Sequence, residues 1–453
     1  MKQSTTLGIG IATYSILLLL SVIYFKERTI ILDTAFYLFH ILQDNSFTIS
    51  DRFGSVFTQI FPFMGAKLGA SLTAITMVYS NSFIIFYTAA FLITWFGLKN
   101  YKIAIVILLY NTLITMHSFF WVNSEGIQGI VFALVYLAYV ENQINAERVS
   151  KRFYWLSILA IPTIVYFYPL MPFTYFFGLF FLLIQYPQKG RKLIWGAAAG
   201  FIVIYLVKVL FFRSSYDNTA MGRLDNFIKL FPNYFSTKSN REFWTWMIRD
   251  YTIVLISLVA VIVFYLRKKA YLKLSYFAAC FFGFMLLINV TNAGGADQFY
   301  LEPQYSILTV FLAFPLVYDL FPTISYRSKN VILTVVVLCC FYRIFAIGGY
   351  YQNRLDWYRT TMQTSHAKLI LQESEIPMGL IKMAWASSFE FWLLSTIEQN
   401  STRSIIVENV PEEFNWANGS PKVFISKWGP FEYDSLNPKY FVFSDTSSLY
   451  IRK

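Results

Sequence analysis

Asp33 is the side chain of this sequence best placed to remove a proton from a hydroxyl group. It follows the first apolar run, residues 7–25, after a short linker, and so lies just outside a lipid phase. A general base must be a carboxylate or His within hydrogen-bond reach of the reacting centre, and a rim of low dielectric raises its pKa usefully. The alternative is structural, because Asp is a preferred helix N-cap and Thr34 could begin the first turn.

The same polar loop offers a partner for phosphate in Asp51 and Arg52. The planar guanidinium of Arg matches phosphate oxygens, such as those of a lipid monophosphate or pyrophosphate leaving group. A hard divalent cation, Mg²⁺ or Mn²⁺, would fit between Asp33 and Asp51. The two residues could instead form a local ion pair and a helix cap that runs into residues 53–61.

Glu125 is a second acid at the edge of an apolar run, residues 125–140, and it lies close in sequence to His117. Acids at membrane depth are rare unless they face a cavity, and Glu125 has no basic neighbour in its own loop. This pattern favours a binding role. Helix capping at Asn123 or Ser124 is the structural alternative, and His117 could equally be a packing residue.

A late polar segment, residues 297–305, adds further candidates. Helical spacing brings Gln298, Glu302 and Tyr305 toward one face, so that a polar stripe enters the bundle there. Asp297 and Tyr300 belong to the same segment. We therefore predict that this stripe faces a cavity and not lipid.

The middle polar segment, residues 213–250, alternates basic and aromatic side chains. Arg223 and Arg241 are its candidate phosphate ligands. Basic residues among aromatics at a membrane face suit the phosphate of a lipid-linked substrate, and they suit ordinary anionic lipid equally well.

Composition identifies the elements that must hold these residues. Of 453 residues, 57% are hydrophobic and only 14% are charged, against about a quarter charged in soluble domains. The chain is thus predicted to be a polytopic membrane protein. Its net charge of +12 does not indicate a nucleic-acid partner, because the basic residues are not collected into one patch.

A membrane helix needs roughly 17 to 25 mostly apolar residues, and this criterion predicts about eleven spans. They lie near residues 7–25, 81–98, 103–119, 125–140, 153–168, 171–185, 193–212, 251–266, 274–290, 298–318 and 330–347. The stretch 61–78 is predicted to lie along the membrane surface, since a crossing there would place every later basic loop outside.

Basic and neutral loops alternate along the chain, which predicts its orientation. The positive-inside rule places the basic loops and the N-terminus in the cytoplasm, with residues 7–25 as an uncleaved signal anchor. Three segments then lie outside, residues 26–80, 213–250 and 348–453. We expect an integral protein of the bacterial inner membrane.

The predicted fold class is an all-α polytopic membrane domain, residues 1–347, followed by a small extracytoplasmic α/β domain, residues 348–453. Helical periodicity appears near residues 358–372 and 389–398 of this second part. Short β-branched or aromatic runs predict strands at residues 404–407, 422–426, 439–444 and 448–451.

This layout resembles the GT-C superfamily of integral-membrane glycosyltransferases, which includes protein mannosyltransferases, aminoarabinose transferases and oligosaccharyltransferases. The likeness lies in a cytoplasmic N-terminus, a long first outer loop with an acid soon after the first span, about a dozen spans and an outer C-terminal domain. The family's catalytic aspartate corresponds to Asp33, whose neighbour here is Thr34 and not a second acid. Residues 297–305 sit where some members carry an acid and a base, but this segment has no Arg.

The resemblance implies transfer of a sugar from a polyprenyl-phosphate donor to a glycan, lipid or protein acceptor on the outer face, with inversion. Asp33 would be the base, Arg52 or the middle-segment cations would stabilise the departing phosphate, and Glu125 and Glu302 would shape the acceptor cavity. The cell envelope and polysaccharide biosynthesis are the expected setting. Alternatives are a polysaccharide polymerase or ligase, a transporter of lipid-linked sugar, and a non-catalytic accessory protein.

Overall fold

The computed structural model describes residues 2–48, 52–122, 125–212, 222–365, 368–377, 379–415 and 421–453. Within these ranges the chain is mostly helical, and the strands lie in its C-terminal part. In chain order the α-helices are α1 Lys2–Ile23, α2 Phe25–Thr29, α3 Leu32–Asp44, α4 Val56–Lys67, α5 Leu72–Leu92, α6 Tyr101–Leu113, α7 His117–Phe120, α8 Gly126–Asn145, α9 Lys151–Val165, α10 Met171–Gln185, α11 Arg191–Phe211, α12 Asn226–Lys229, α13 Lys238–Arg249, α14 Thr252–Arg267, α15 Tyr271–Thr291, α16 Gln298–Pro315, α17 Tyr326–Thr364 and α18 Ser387–Gln399.

Seven helices of the described ranges are long and apolar enough to cross a membrane. An eighth crossing exists if α13 and α14, which meet at an angle of 95°, are counted as one broken span. The seven are Ser4–Ile23, Leu72–Gly97, Gly126–Asn145, Arg191–Phe211, Tyr271–Thr291, Gln298–Thr323 and Tyr326–Thr364. The chain is an integral membrane protein by this measure, and the prediction of eleven spans is too high.

Helix length explains the difference. Three of the predicted spans are the short helices α6, α9 and α10, which contain 13, 15 and 15 residues. At about 1.5 Å per residue they reach roughly 20 to 23 Å, less than the roughly 30 Å of a hydrocarbon core. The runs predicted at residues 103–119 and 153–168 continue beyond the ends of α6 and α9, whereas the run at residues 171–185 coincides with α10 and is itself short.

The break between α6 and α7 shows how a short helix ends inside the bundle. Arg343, on α17, donates to the carbonyl oxygens of Thr112, Leu113 and Thr115, at 2.6, 3.0 and 3.2 Å. Helix ends leave carbonyl and N–H groups without partners, and in an apolar setting each such group costs several kcal/mol. A buried charged side chain therefore permits the break.

The first polar segment is also helical, and it differs from the prediction in one place. Residues 61–67 belong to α4, a separate helix before the turn at residues 68–71. Residues 72–78 do not lie in a surface helix with them, because Leu72 begins the span that continues through a π-helical turn to Gly97. The N-cap hydroxyl of Ser71, which accepts from Ala74 N at 3.3 Å, fixes this start.

The last span continues out of the bundle as one 39-residue helix, α17. It is roughly 58 Å long at 1.5 Å per residue, about twice the hydrocarbon thickness. It leads directly to the first strand, so the helix predicted over residues 358–372 is wrong beyond residue 364. Lys368–Gln372 there is strand β1.

The C-terminal region contains two small sheets. Strands β2 Ser404–Glu408, β1 and β5 Ile451–Arg452 form a parallel sheet in the order β2-β1-β5. Strands β3 Val423–Ser426 and β4 Gly429–Glu432 form an antiparallel hairpin. Residues 439–444 were predicted as a strand but have no strand structure. Helix α18 packs between β2 and α3, and this contact joins the sheet region to the first polar segment.

Candidate active site

The backbone immediately before Asp33 is strained and held by a long-range contact. Leu32 has a φ of 40°, in the left-handed region that costs a residue with a Cβ roughly 1–2 kcal/mol. Its N–H donates to Glu390 Oε1 on α18 at 2.7 Å. Strain that tertiary contacts maintain is concentrated at functional sites. The sequence neighbour of the candidate base is thus positioned by residues far along the chain.

Glu390 itself belongs to a fully buried ion pair. Its Oε2 lies 2.5 Å from Arg354 Nη2, with side-chain exposures of 1% and 0%. Arg354 also donates to the carbonyl oxygen of Ile30 at 2.7 Å, and the Tyr358 hydroxyl donates to Glu390. The ion pair therefore fixes both ends of the short turn, residues 30–32, that delivers Asp33 to the start of α3.

Asp33 lies partly exposed in a site that disfavours its charged form. Burial of the carboxyl and, next, the negative charge of Glu125 raise the pKa of Asp33 to about 7. The Trp121 indole and the positive charge of Arg52 act in the opposite direction. The carboxyl is therefore about half deprotonated near neutral pH, as a general base requires.

Glu125 and Arg52, two candidates from separate loops, meet beside Asp33. Arg52 Nη1 lies 3.5 Å from Glu125 Oε2, and the Tyr37 hydroxyl donates to Glu125 Oε1. The Arg52 guanidinium also lies 5.5 Å from the centre of the Tyr168 ring. Folding thus places two carboxylates and one guanidinium together from parts of the chain about 90 residues apart.

Two buried polar atoms next to these carboxylates have no hydrogen-bond partner in the described ranges. They are Trp121 Nε1 and the Tyr79 hydroxyl oxygen. The Trp121 indole lies near enough to Asp33 to lower the pKa of its carboxyl, although the two do not form a hydrogen bond of ordinary geometry. Tyr79 lies near both Asp33 and Glu125. Buried donors without a partner are uncommon in proteins and typically await a ligand or water.

An apolar groove lies along helices α8 and α9, and Phe57 of α4 is among its lining residues. Its volume is about 870 Å³, which includes space open to solvent. Its lining residues are Phe57, Ile93, Leu98, Phe132, Val135, Tyr136, Tyr139, Leu156, Leu159, Ala160 and Thr163. Phe57 stacks on Phe167 with ring centroids 6.1 Å apart. Phe167 precedes Tyr168, whose ring lies beside the Arg52 guanidinium.

Glu302 does not join this group, because its carboxylate closes the N-terminus of α7. The first backbone N–H groups of a helix have no partner within the helix, and a carboxylate from elsewhere in the chain can accept from them in place of an N-cap side chain. His117, at the start of α7, is buried and its Nδ1 lies 3.0 Å from the Tyr351 hydroxyl. The donors to Glu302 are the backbone N–H groups of Met116, His117 and Ser118 and the hydroxyl groups of Ser118 and Tyr251.

Tyr300 is connected to the Asp33 site through Trp121, and Asp297 lies at the start of the same helix. The Tyr300 ring stacks on Trp121 with centroids 5.9 Å apart, and Phe299 meets Trp121 edge-on at 5.2 Å. Asp297 is exposed at the start of α16. It acts electrostatically on Lys382, a residue of the C-terminal region whose ammonium lies 4.5 Å from the Phe299 ring centre.

The remaining candidates lie elsewhere. Arg223 is exposed on the middle segment and donates to Asn292 Oδ1 at 3.2 Å. Arg241 is exposed on α13. Asp51, together with the capping alternatives Asn123 and Ser124, lies outside the described residues.

The described ranges contain no group of three or more His, Cys, Asp or Glu side chains suited to a metal ion. Mg²⁺ takes one or two carboxylates and completes its shell with water and substrate phosphates. Glu125 provides one carboxylate of that kind beside Asp33, and Asp51, which was predicted to share the ion with Asp33, lies outside the described residues.

Sequence reasoning missed Lys382 and the ion pair of Arg354 with Glu390. One signal was present: Arg343 and Arg354 are eleven residues apart, a spacing that puts both on one face of a helix. Two arginines on one face of an apolar helix indicate buried polar partners. Lys382 carries no comparable signal, because its importance comes from the loop that folds back onto the bundle.

No family model, curated protein or solved structure matches this chain.

Proposed function

We propose that this protein is an integral-membrane glycosyltransferase that moves a sugar from a polyprenyl-phosphate donor to an acceptor hydroxyl, with Asp33 as general base. The observation that carries the proposal is the meeting of Asp33, Glu125 and Arg52. Phe57, Phe167 and Tyr168 connect this group to an apolar groove. The acceptor is a glycan, a lipid or a protein. We expect the site to face away from the cytoplasm.

The protonation behaviour of Asp33 supports the role of base. A pKa of about 7 gives both a substantial deprotonated fraction at neutral pH and enough basicity to take a proton in the transition state. A carboxyl group at its ordinary pKa would be fully ionised but a weaker base. The strained turn before Asp33 keeps the carboxyl at the head of α3.

Arg52 supports the role of partner for the leaving group. Phosphate departs with negative charge, and a guanidinium offers two parallel donors to its oxygens. The groove that Phe57 helps to line is mostly apolar and is suited to an isoprenoid chain. A chain in that groove would bring its phosphate toward Tyr168 and Arg52.

The proposed reaction is a single displacement that inverts the sugar's anomeric centre. Asp33 takes the proton of the acceptor hydroxyl, the oxygen attacks the anomeric carbon, and the bond to the donor phosphate breaks. Glu125 orients Arg52 and Tyr37 through the contacts described above. A Mg²⁺ or Mn²⁺ ion held by Glu125 and by the phosphate oxygens of the donor would add positive charge beside the departing phosphate, and Asp33 would remain the base.

The test is transfer by the purified full chain in lipid nanodiscs, given a panel of polyprenyl-phosphate sugars and a mixed acceptor pool. Asp33→Asn should reduce donor turnover by roughly 10²- to 10⁴-fold, the usual contribution of a general base. Asp44→Asn is the matched control, because Asp44 ends the same helix and its side chain is 50% exposed. EDTA, with Mg²⁺ or Mn²⁺ added back, tests the metal requirement.

Equal turnover by wild type and Asp33→Asn would exclude Asp33 as the base. Movement of intact donor between leaflets without sugar transfer would favour the transporter. Joining of two lipid-linked glycans would favour a polymerase or ligase, and an inert wild-type protein under all donors would favour an accessory role.

A further inference from the structure

Lys382 is a partly buried cation without an acidic partner. Among the described residues it forms neither an ion pair nor a hydrogen bond, and its ammonium lies 4.5 and 4.4 Å from the centres of the Phe299 and Tyr350 rings. Burial lowers its pKa to about 8. Asp297 acts on it electrostatically but beyond ion-pair distance. A cation in this setting lacks the hydrogen-bond acceptors that an ammonium normally has.

The loop that carries Lys382 is fixed in place. The Tyr350 hydroxyl, on α17, donates to the carbonyl oxygen of Gly379. Gly379 has a φ of 85° and a Cβ there would lie 3.2 Å from the Tyr350 hydroxyl, so glycine is required. Lys382 is therefore presented by a defined turn and not by a freely moving tail.

Arg52 and Lys382 are connected to the Asp33 site through different aromatic residues. Arg52 lies over Tyr168, which follows Phe167 in sequence, and Phe167 stacks on Phe57 of the apolar groove. Lys382 lies over Phe299, whose ring contacts Trp121, and the Trp121 indole acts on Asp33. In a displacement reaction the leaving group and the attacking hydroxyl must lie on opposite sides of the reacting carbon. The two substrates therefore need separate contacts, and if Arg52 holds the donor phosphate, Lys382 is a second cation available to the acceptor.

We propose that Lys382 binds an anionic group of the acceptor, a carboxylate or a phosphate, and that the acceptor is therefore an acidic sugar. Calling this ligand the acceptor rests on the proposed function. The binding of an acidic sugar at Lys382 does not depend on that function. The aromatic rings of Phe299, Tyr300 and Tyr350 would contact the apolar face of the sugar ring, while the ammonium pairs with its charge.

Binding can be measured without turnover, by protection of Lys382 from an amine-acylating reagent in the full chain. The probes are octyl glucuronide, octyl glucoside 6-phosphate and the neutral octyl glucoside, and acylation of each lysine is followed by peptide mass spectrometry. At least one anionic probe should protect Lys382 at a concentration about tenfold below the neutral one, equivalent to about 1.4 kcal/mol. Lys238, whose side chain is 62% exposed, should stay equally reactive throughout.

The probes distinguish the possible ligands of Lys382. Protection by the glucuronide identifies a carboxylate site, and protection by the phosphate a phosphate site. Equal protection by all three sugars, or none, would overturn the inference. Polyprenyl phosphate is the fourth probe, and protection by it alone would also overturn the inference, since Lys382 would then bind the donor.

Two variants test the charge itself by equilibrium binding of radiolabelled octyl glucuronide or glucoside 6-phosphate, whichever protects. Lys382→Arg should keep the preference over the neutral sugar, and Lys382→Met should abolish it. Lys238→Met is the matched control. Loss of binding in all three variants, or retained preference in Lys382→Met, would contradict the assignment. A wild type that binds acidic sugars but transfers nothing would refute the proposed function and leave this site standing.

Discussion

Asp33 sits between two charges of opposite sign, and each moves its proton affinity in a known direction. The Glu125 carboxylate raises its pKa, after the larger effect of burial, and the Arg52 guanidinium lowers it. A proton taken from an acceptor needs the deprotonated carboxyl. The acidic limb of the rate profile should therefore report Asp33, at about pH 7.

We predict opposite shifts of that limb in two variants. Glu125→Gln removes the charge that raises the Asp33 pKa, so the limb should move to lower pH. Arg52→Gln removes the charge that lowers the pKa, so the limb should move to higher pH. The measurement is kcat/KM against pH, which reports the groups of the free enzyme. Both variants should also turn over more slowly, because each loses a contact of the site.

The direction of the shifts is the decisive result, whatever the loss in rate. Shifts of the same sign in both variants, or an unmoved limb, would show that another group sets it. Glu147→Gln is the control, because Glu147 is exposed between α8 and α9. Its profile should match the wild type.

Helix α3 depends on the C-terminal helices for its position. The buried pair of Arg354 on α17 and Glu390 on α18 binds both Ile30 and Leu32, at the turn before α3. Removal of one charged side chain of the pair leaves the other charge buried without a partner, whereas replacement of both by apolar groups of similar volume leaves no buried charge. Stability and positioning can therefore be separated at this element.

We expect Arg354→Met to reduce the free energy of unfolding by roughly 3–5 kcal/mol. The double variant Arg354→Met, Glu390→Leu should recover much of that stability, since no charge remains buried. It should not recover transfer activity, because the Leu32 N–H has lost its acceptor and the turn is free to relax. Thermal unfolding in detergent and transfer in nanodiscs give the two readouts.

The more exposed pair Arg359 and Glu398, on the same two helices, serves as control. Arg359→Met should change the free energy of unfolding by no more than about 1 kcal/mol, as for other exposed pairs. Full activity in the double variant would show that the turn does not need this support.

The long spans were predictable from sequence and the short helices were not. Helices α8, α11 and α15 lie within a few residues of the predicted positions, because each is long, apolar and flanked by polar turns. The sequence predicts that the span at α6 continues to residue 119, because Ile114 and Met116 are apolar. Whether the chain turns there depends on Arg343 and Glu302 from other helices, and no local pattern contains that information.

For the whole molecule, orientation in the membrane is the property to test. Lys268 follows α14, a 16-residue helix that spans about 24 Å and begins beside the Tyr251–Glu302 contact. It thus lies at the end of the bundle away from the C-terminal region. The positive-inside rule predicts that this basic end lies in the cytoplasm and that the sheet region lies outside.

We predict that Ser447→Cys reacts with a membrane-impermeant maleimide in intact spheroplasts, whereas Lys268→Cys reacts only after permeabilisation. Both positions are exposed, so access to reagent and not burial decides the result. The native Cys280, Cys339 and Cys340 are partly or fully buried, and the unaltered chain provides the background. The reverse pattern would place Asp33 on the cytoplasmic side.

The sequence by itself determined that this is a membrane protein, where its long spans lie, and that an acid follows the first of them. These properties follow from apolar length and charge along the chain, which are local quantities. Only the tertiary structure decided which polar residues meet Asp33. It joined Glu125 and Arg52 to that acid, placed Glu302 at a helix end and brought Lys382 back from the C-terminal region. Contacts between distant loops depend on how the helices pack, and packing is a property of the folded chain.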